Sequence, residues 1–170
     1  EQSAPVAIAF ATVSRSSVPV VELCRELQIP CQILNPRRRM AFDSRLLELC
    51  GAEKIDLIAL AGFMSLLGGD FLTSVGIPVV NIHPALLPKY GGPGMYGMRV
   101  HEAVFASGDK VSGATVHLVD PVYDHGEIIA QQQVDISACR SPEEIAGLVL
   151  RVEHQLYAPA IYQYLSDLSQ

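Results

Sequence analysis

What this chain can fold into is constrained above all by short, wholly apolar runs that alternate with longer stretches of helical spacing. Ile55 to Ala61 (IDLIALA) is the strongest strand signal and ends at Gly62, while Val79 to Ile82 (VVNI) is a second strand launched by Pro78. Val6 to Phe10 and Cys31 to Leu34 read as earlier strands, and Thr115 to Val119 with Ile128 to Val134 close the sheet. Between them lie helical patterns over Val18 to Leu27, from Phe42-Asp43-Ser44 onward, and over Val100 to Ala106. Ser141-Pro142-Glu143-Glu144 opens the last helix with Ser as N-cap, Pro at N1 and Glu at N3. Apolar spacing continues past Pro159, which should kink that helix without ending it. Strands alternating with helices predict an α/β fold with an open, mostly parallel sheet, in one domain spanning residues 1–170.

Such a sheet binds ligands at the carboxyl ends of its strands. Two segments meet that description, Gly62-Phe63-Met64 and Asn81-Ile82-His83-Pro84, and a site is expected between them. Asn81 and His83 are one residue apart in an extended segment, so both side chains leave the same side of the backbone. Asp124, in the turn-like Tyr123-Asp124-His125-Gly126, is either a turn former or the third member of the group. If it reaches His83 it favours the imidazolium and raises the pKa. An amide donor, an imidazole and a carboxylate together suit acyl transfer, while Asn81 as a turn cap and His83 as a core residue remain the alternative.

Several function classes are disfavoured. With 170 residues and a net charge of −6, the chain lacks the basic surface of a nucleic-acid partner. The longest apolar stretch, Leu57 to Leu67, is too short to span a bilayer, and no signal peptide is visible, so no membrane association and a cytoplasmic location are expected. Cys24, Cys31, Cys50 and Cys139 show no metal-ligand spacing and read as buried free thiols. His125 and Glu127 beside Asp124 have no second ligand cluster, so no metal is expected. Arg37-Arg38-Arg39 reads as a solvated charge run, His101 as a surface residue, and the glycine-rich Lys89 to Gly97 as a mobile lid.

The block NIHPALLPKY, residues 81–90, with LAGFM (60–64), GATVH (113–117), DHGEII (124–129) and Glu153-His154, resembles the folate-dependent formyltransferases. Within them the match is to those acting on glycinamide ribonucleotide, and it covers nearly the whole chain in order. The resemblance implies a Rossmann-like formyltransferase fold and transfer of a formyl group from 10-formyltetrahydrofolate, as co-substrate, to the amine of glycinamide ribonucleotide in purine biosynthesis. It makes Asn81, His83 and Asp124 the catalytic trio, with Asp124 holding His83 charged. It places the folate pocket on Met64, Ser65, Leu66 and Leu67, on Asp120, Pro121, Val122, Tyr123 and Asp124, and on Arg45 and Asn81. Glu153 would bind the substrate ribose. Ser65 departs from the family, where a basic residue is common. The partners implied are small molecules only, with a monomer or homodimer. No match exists to the family's first strand and glycine-rich phosphate turn, so a missing N-terminal segment is expected. Two alternatives share the trio or the pocket: a hydrolase releasing formate from the same folate, and a folate-binding remnant without catalysis.

Overall fold

In the computed structural model, residues 6–168 are described, and they form a mixed α/β structure in two compact units. Among the described residues the first comprises 6–56 and 70–77, and the second 57–69 and 78–168.

In the first unit, β1 (Ala11–Val13) and β2 (Cys31–Ile33) pair in parallel, Ala11 opposite Cys31. Helix α1 (Val20–Glu26) lies between them in sequence and α2 (Arg39–Ala52) follows. The strand expected at Val6 to Phe10 is instead irregular, and the ladder starts at Ala11, whose N–H donates to the Pro30 carbonyl at 2.8 Å. An apolar run becomes a strand only where a partner offers a ladder, and Ile8 is 66% exposed. Helix α2 begins before Phe42-Asp43-Ser44. Its entry is made by Asn35, whose Oδ1 accepts the Arg37 N–H at 3.0 Å and whose carbonyl accepts the Arg38 N–H. Asp43 then lies inside the helix, 2.6 Å from Arg39 Nε. Phe42, Leu46, Leu49 and Cys50 form its buried face. Helix α3 (Gly69–Val75), for which the sequence carries no capping signal, is seven residues long and too short to show a period.

The second unit holds a four-stranded sheet in the order β3 (Ile58–Leu60), β4 (Val79–His83), β5 (Val111–Leu118) and β6 (Ile128–Asp135). The β3–β4 pair is parallel, whereas β4–β5 and β5–β6 are antiparallel. The β5–β6 connection, residues 119–127, is shorter than the dozen or so residues a parallel crossover requires. Val80, Ile82, Ala114 and Val116 pack on Val152 and Ala160 of α5 (Pro142–Leu168), and Ile145 and Val149 of the same helix pack with Val104 of α4 (Met98–Ser107). The last helix starts as its sequence predicts: the Glu144 N–H donates to Ser141 Oγ at 3.3 Å, and Glu144 accepts the Arg140 N–H at 2.8 Å. It runs on through Pro159, so Tyr157 reaches the sheet and its hydroxyl meets the Leu60 and Val80 carbonyls at 2.7 and 3.1 Å.

Candidate active site

The parallel register sets Leu60 opposite Asn81, so the carboxyl ends of β3 and β4 adjoin, as the sequence requires of a site. The backbone beyond His83 is fixed from β5. Thr115, fully buried, donates its hydroxyl proton to the Ala85 carbonyl at 2.6 Å and accepts the Leu87 N–H at 3.1 Å. Gln131 of β6 donates to the Leu87 carbonyl and to Thr115 Oγ1 at 3.1 and 2.8 Å.

Asp124 reaches the site from the β5–β6 connection. Its φ of 52° is left-handed, a conformation that Asp tolerates better than most residues. Two residues on, Gly126 lies so close to Leu118 that any Cβ would run into the Leu118 carbonyl, which turns the segment sharply back on β5. Asp124 Oδ1 then stands 3.5 Å from His83 Nδ1, and Oδ2 accepts the Gly92 N–H at 2.9 Å. The three residues singled out from the sequence are therefore brought together.

His83 is 4% exposed, and its Nε2–H donates to the Tyr90 carbonyl at 2.8 Å. Burial holds its pKa below the ordinary value. The Asp124 charge and the Tyr90 bond push upward without overcoming burial, and nearby His117 adds to the lowering. The expected upward shift is thus corrected: the carboxylate acts in the anticipated direction, but desolvation of a nearly sealed ring is larger. Nε2 keeps its proton on the Tyr90 carbonyl, and Nδ1 is the ring nitrogen that faces Asp124.

His117 was not singled out from the sequence. It lies directly opposite Asn81 across β4–β5 and is 2% exposed. Its Nδ1–H donates to the Leu118 carbonyl at 2.8 Å, its Nε2 is 3.2 Å from Asn81 Nδ2, and Asp124 Oδ1 is 3.7 Å away. The detectable signal was the alternation in Thr115-Val116-His117, which puts His117 on the face of Thr115. His101 is likewise not a surface residue. It sits in the first turns of α4, 6% exposed with Nδ1 unpaired, and burial followed by the proximity of His83 lowers its pKa.

Just past the first of the two segments expected to frame a pterin, Gly69 lies against the second: a Cβ there would be 3.5 Å from Pro121 Cγ. Met64, Val122 and Tyr123 present exposed apolar side chains, at 65%, 57% and 39%, whereas Leu67 is buried and Ser65 and Leu66 are partly so. Asp120 accepts the Val122 N–H and pairs with His125 Nδ1, both at 2.7 Å. Burial alone would raise its pKa, but these bonds hold it below the usual carboxylate value. Glu153, in α5, has its pKa pushed up to about 6 by burial. Arg45 lies in the first unit, bonded to Gln32 Oε1 at 3.2 Å and to Glu48 at 2.7 Å. A surface cleft of about 350 Å³, lined by Leu86, Lys89, Lys110 and Gln133 among others, does not include the trio. Cys24 and Cys50 are buried free thiols, but Cys31 and Cys139 are only partly buried. Among the described residues no group of three or more His, Cys, Asp or Glu could hold a metal ion, and no helix is long and apolar enough to cross a membrane.

A family model described as formyl transferase matches residues 3–161. The chain belongs to the formyl transferase family. Among similar members, phosphoribosylglycinamide formyltransferase of Bacillus subtilis is 33% identical over 97% of this chain and 84% of its own length. The chloroplastic phosphoribosylglycinamide formyltransferase of Arabidopsis thaliana is 38% identical over 82% of this chain, which spans 49% of that protein's length. For the corresponding protein of Vigna unguiculata that share is 35%. The chain thus spans about half or less of these plant relatives. The crystal structure of phosphoribosylglycinamide formyltransferase from Bacillus halodurans superposes with a TM-score of 0.85 at 31% identity, over 96% of this chain and 84% of that one. The α/β formyltransferase fold expected from the sequence is the fold observed.

Proposed function

We infer that this formyl transferase family member moves a formyl group from 10-formyltetrahydrofolate to the amine of glycinamide ribonucleotide, a step of purine biosynthesis. The observation that carries the reading is the convergence of Asn81, His83 and Asp124 at the carboxyl end of β4, in a chain whose relatives bear that activity in their names.

Attack of an amine on a formyl carbon forms a new C–N bond, puts negative charge on the formyl oxygen and makes the amine acidic. Asn81 supplies an N–H to that oxygen, an interaction worth about 3 kcal/mol when preorganised. His83, neutral with its proton held on Nε2 by Tyr90, offers Nδ1 to the amine proton, and Asp124 at 3.5 Å balances the charge that forms. The same proton returns to the folate nitrogen as its bond to the formyl carbon breaks. The exposed apolar side chains of Met64 and Val122 and the ring of Tyr123 suit a flat pterin, with Ser65, Leu66, Leu67, Asp120 and Pro121 completing that wall, and Glu153 suits a ribose hydroxyl. Tyr90 and Gly92 tie the glycine-rich loop to His83 and Asp124, so the loop holds both groups in place for the reaction. The reading carries with it an aqueous compartment, the cytoplasm, and a monomer or homodimer.

A steady-state assay with both substrates tests it. Transfer by the wild type and its collapse in His83→Ala are expected. Formate release without an amine acceptor would instead mark a hydrolase, and folate binding without either reaction a non-catalytic protein.

A further inference from the structure

We propose that His117 is a positioning residue that sets which end of the Asn81 amide faces the substrate. The proposal rests on the transfer reading above and adds to the site a residue that acts through Asn81.

A carbonyl oxygen can only accept, so the 2.8 Å contact of His117 Nδ1 with the Leu118 carbonyl places a proton on Nδ1. The Asn81 group 3.2 Å from Nε2 is the NH₂ end, which can only donate, so in this contact Nε2 carries a lone pair and accepts. One amide proton is committed to His117, and the second N–H and Oδ1 remain for a ligand. A flip of the amide would set Oδ1 against the Nε2 lone pair, two acceptors face to face in a site where His117 is 2% exposed and water offers little compensation. The cross-strand register adds to the restraint, because Asn81 and His117 are direct partners on rigid strands. The formyl oxygen requires a donor at a defined place, and exchange of the amide ends replaces that donor with an acceptor. His117 thereby removes a two-fold ambiguity intrinsic to any asparagine.

The imidazole has two separable halves, and two amide substitutions divide them. Gln places its side-chain oxygen near the position of Nε2 and can still accept from Asn81. Asn reproduces the Nδ1 half, keeping the bond to Leu118 and losing the one to Asn81. His117→Gln is expected to retain kcat within about threefold, whereas His117→Asn and His117→Phe lose on the order of 10²-fold in kcat, with KM for either substrate changed less than about twofold. In an Asn81→Ala background, His117→Asn should cost nothing further. A merely structural ring predicts the reverse order, with His117→Asn at least as active as His117→Gln. That order, equal loss in all variants or no loss in any overturns the proposal.

Long-range ¹H–¹⁵N spectra of the imidazole read the same geometry without catalysis. A proton on Nδ1 and none on Nε2, with the Asn81 side-chain amide resonances displaced in His117→Asn but not in His117→Gln, is expected even if the wild type does not transfer formyl to the ribonucleotide. Absence of transfer with those spectra refutes the substrate assignment alone. A proton on Nε2 refutes the orientation itself.

Discussion

Glu153 is a carboxyl that burial makes reluctant to ionise, and Glu153→Gln converts that reluctance into a measurable pH dependence. Its pKa rises from an ordinary 4.5 to about 6 through desolvation. A rise of that size corresponds to ~2 kcal/mol, which we reduce to ~1 kcal/mol because the side chain is only partly buried and water screens part of the effect. A group whose folded pKa is raised contributes stability that is fully present below its unfolded pKa and lost as pH rises through the folded value. The wild type therefore loses ~1 kcal/mol between about pH 4.5 and pH 7 on account of this residue, and Gln, which cannot ionise, does not. The assay is urea unfolding of both proteins across that range, the shared titrations cancelling in the difference. Glu153→Gln should gain ~1 kcal/mol relative to wild type on going from pH 4.5 to 7.5, or roughly 2–4 °C in Tm for a chain of this size. A difference that stays constant with pH, or that moves against the substitution, would refute desolvation as the cause. The same variant should raise KM for the ribonucleotide and spare KM for the folate if Glu153 meets the ribose.

Three further outcomes follow from the packing. Gly126→Ala forces a methyl into the Leu118 carbonyl, whose carbon would lie 2.8 Å away; the backbone cannot yield cheaply, so a loss of about 1–3 kcal/mol by thermal unfolding, with displaced Asp124 and reduced transfer, is expected. Tyr157→Phe removes the hydroxyl that joins the Leu60 and Val80 carbonyls and should cost about 1 kcal/mol in denaturant unfolding. His101 is a buried imidazole whose pKa is lowered, so the stability it permits above its unfolded pKa is lost as pH falls through the folded value; His101→Leu should flatten the acid limb of the stability curve, and an unchanged limb would show that His101 does not titrate there.

How legible this protein was from its sequence depended on which forces each segment obeys. Strand β4 announced itself because Val79 and Val80 are sealed on both faces, and such strands must be apolar without alternation. The start of α5 was equally plain, since Ser141 and Glu144 carry out capping that is local in sequence. β1 was misplaced because its limits come from the Pro30 carbonyl and β2, which no local pattern encodes. The antiparallel β5–β6 pair follows from the short chain between those strands, not from side-chain pattern. In the site, the shared direction of Asn81 and His83 could be read from their spacing, whereas the turn around Asp124 left it either a turn former or a third member, and only the family resemblance assigned it a role. His117 was hidden because an alternating Thr-Val-His reads as an ordinary strand until the opposite strand sets Asn81 across from it. The direction of the His83 pKa was misjudged for a related reason: the carboxylate can be inferred from sequence, but the burial that outweighs it cannot.

The most direct test of catalysis at this site is single-turnover transfer of isotopically labelled formyl, with both substrates saturating, by the wild type and by Asp124→Asn. That variant keeps the shape of the carboxylate and removes the charge that balances a proton on His83 Nδ1 at 3.5 Å. A fall in the chemical rate on the order of 10²-fold or more, with substrate binding unchanged, is the predicted result. Transfer by Asp124→Asn within about twofold of wild type would contradict it.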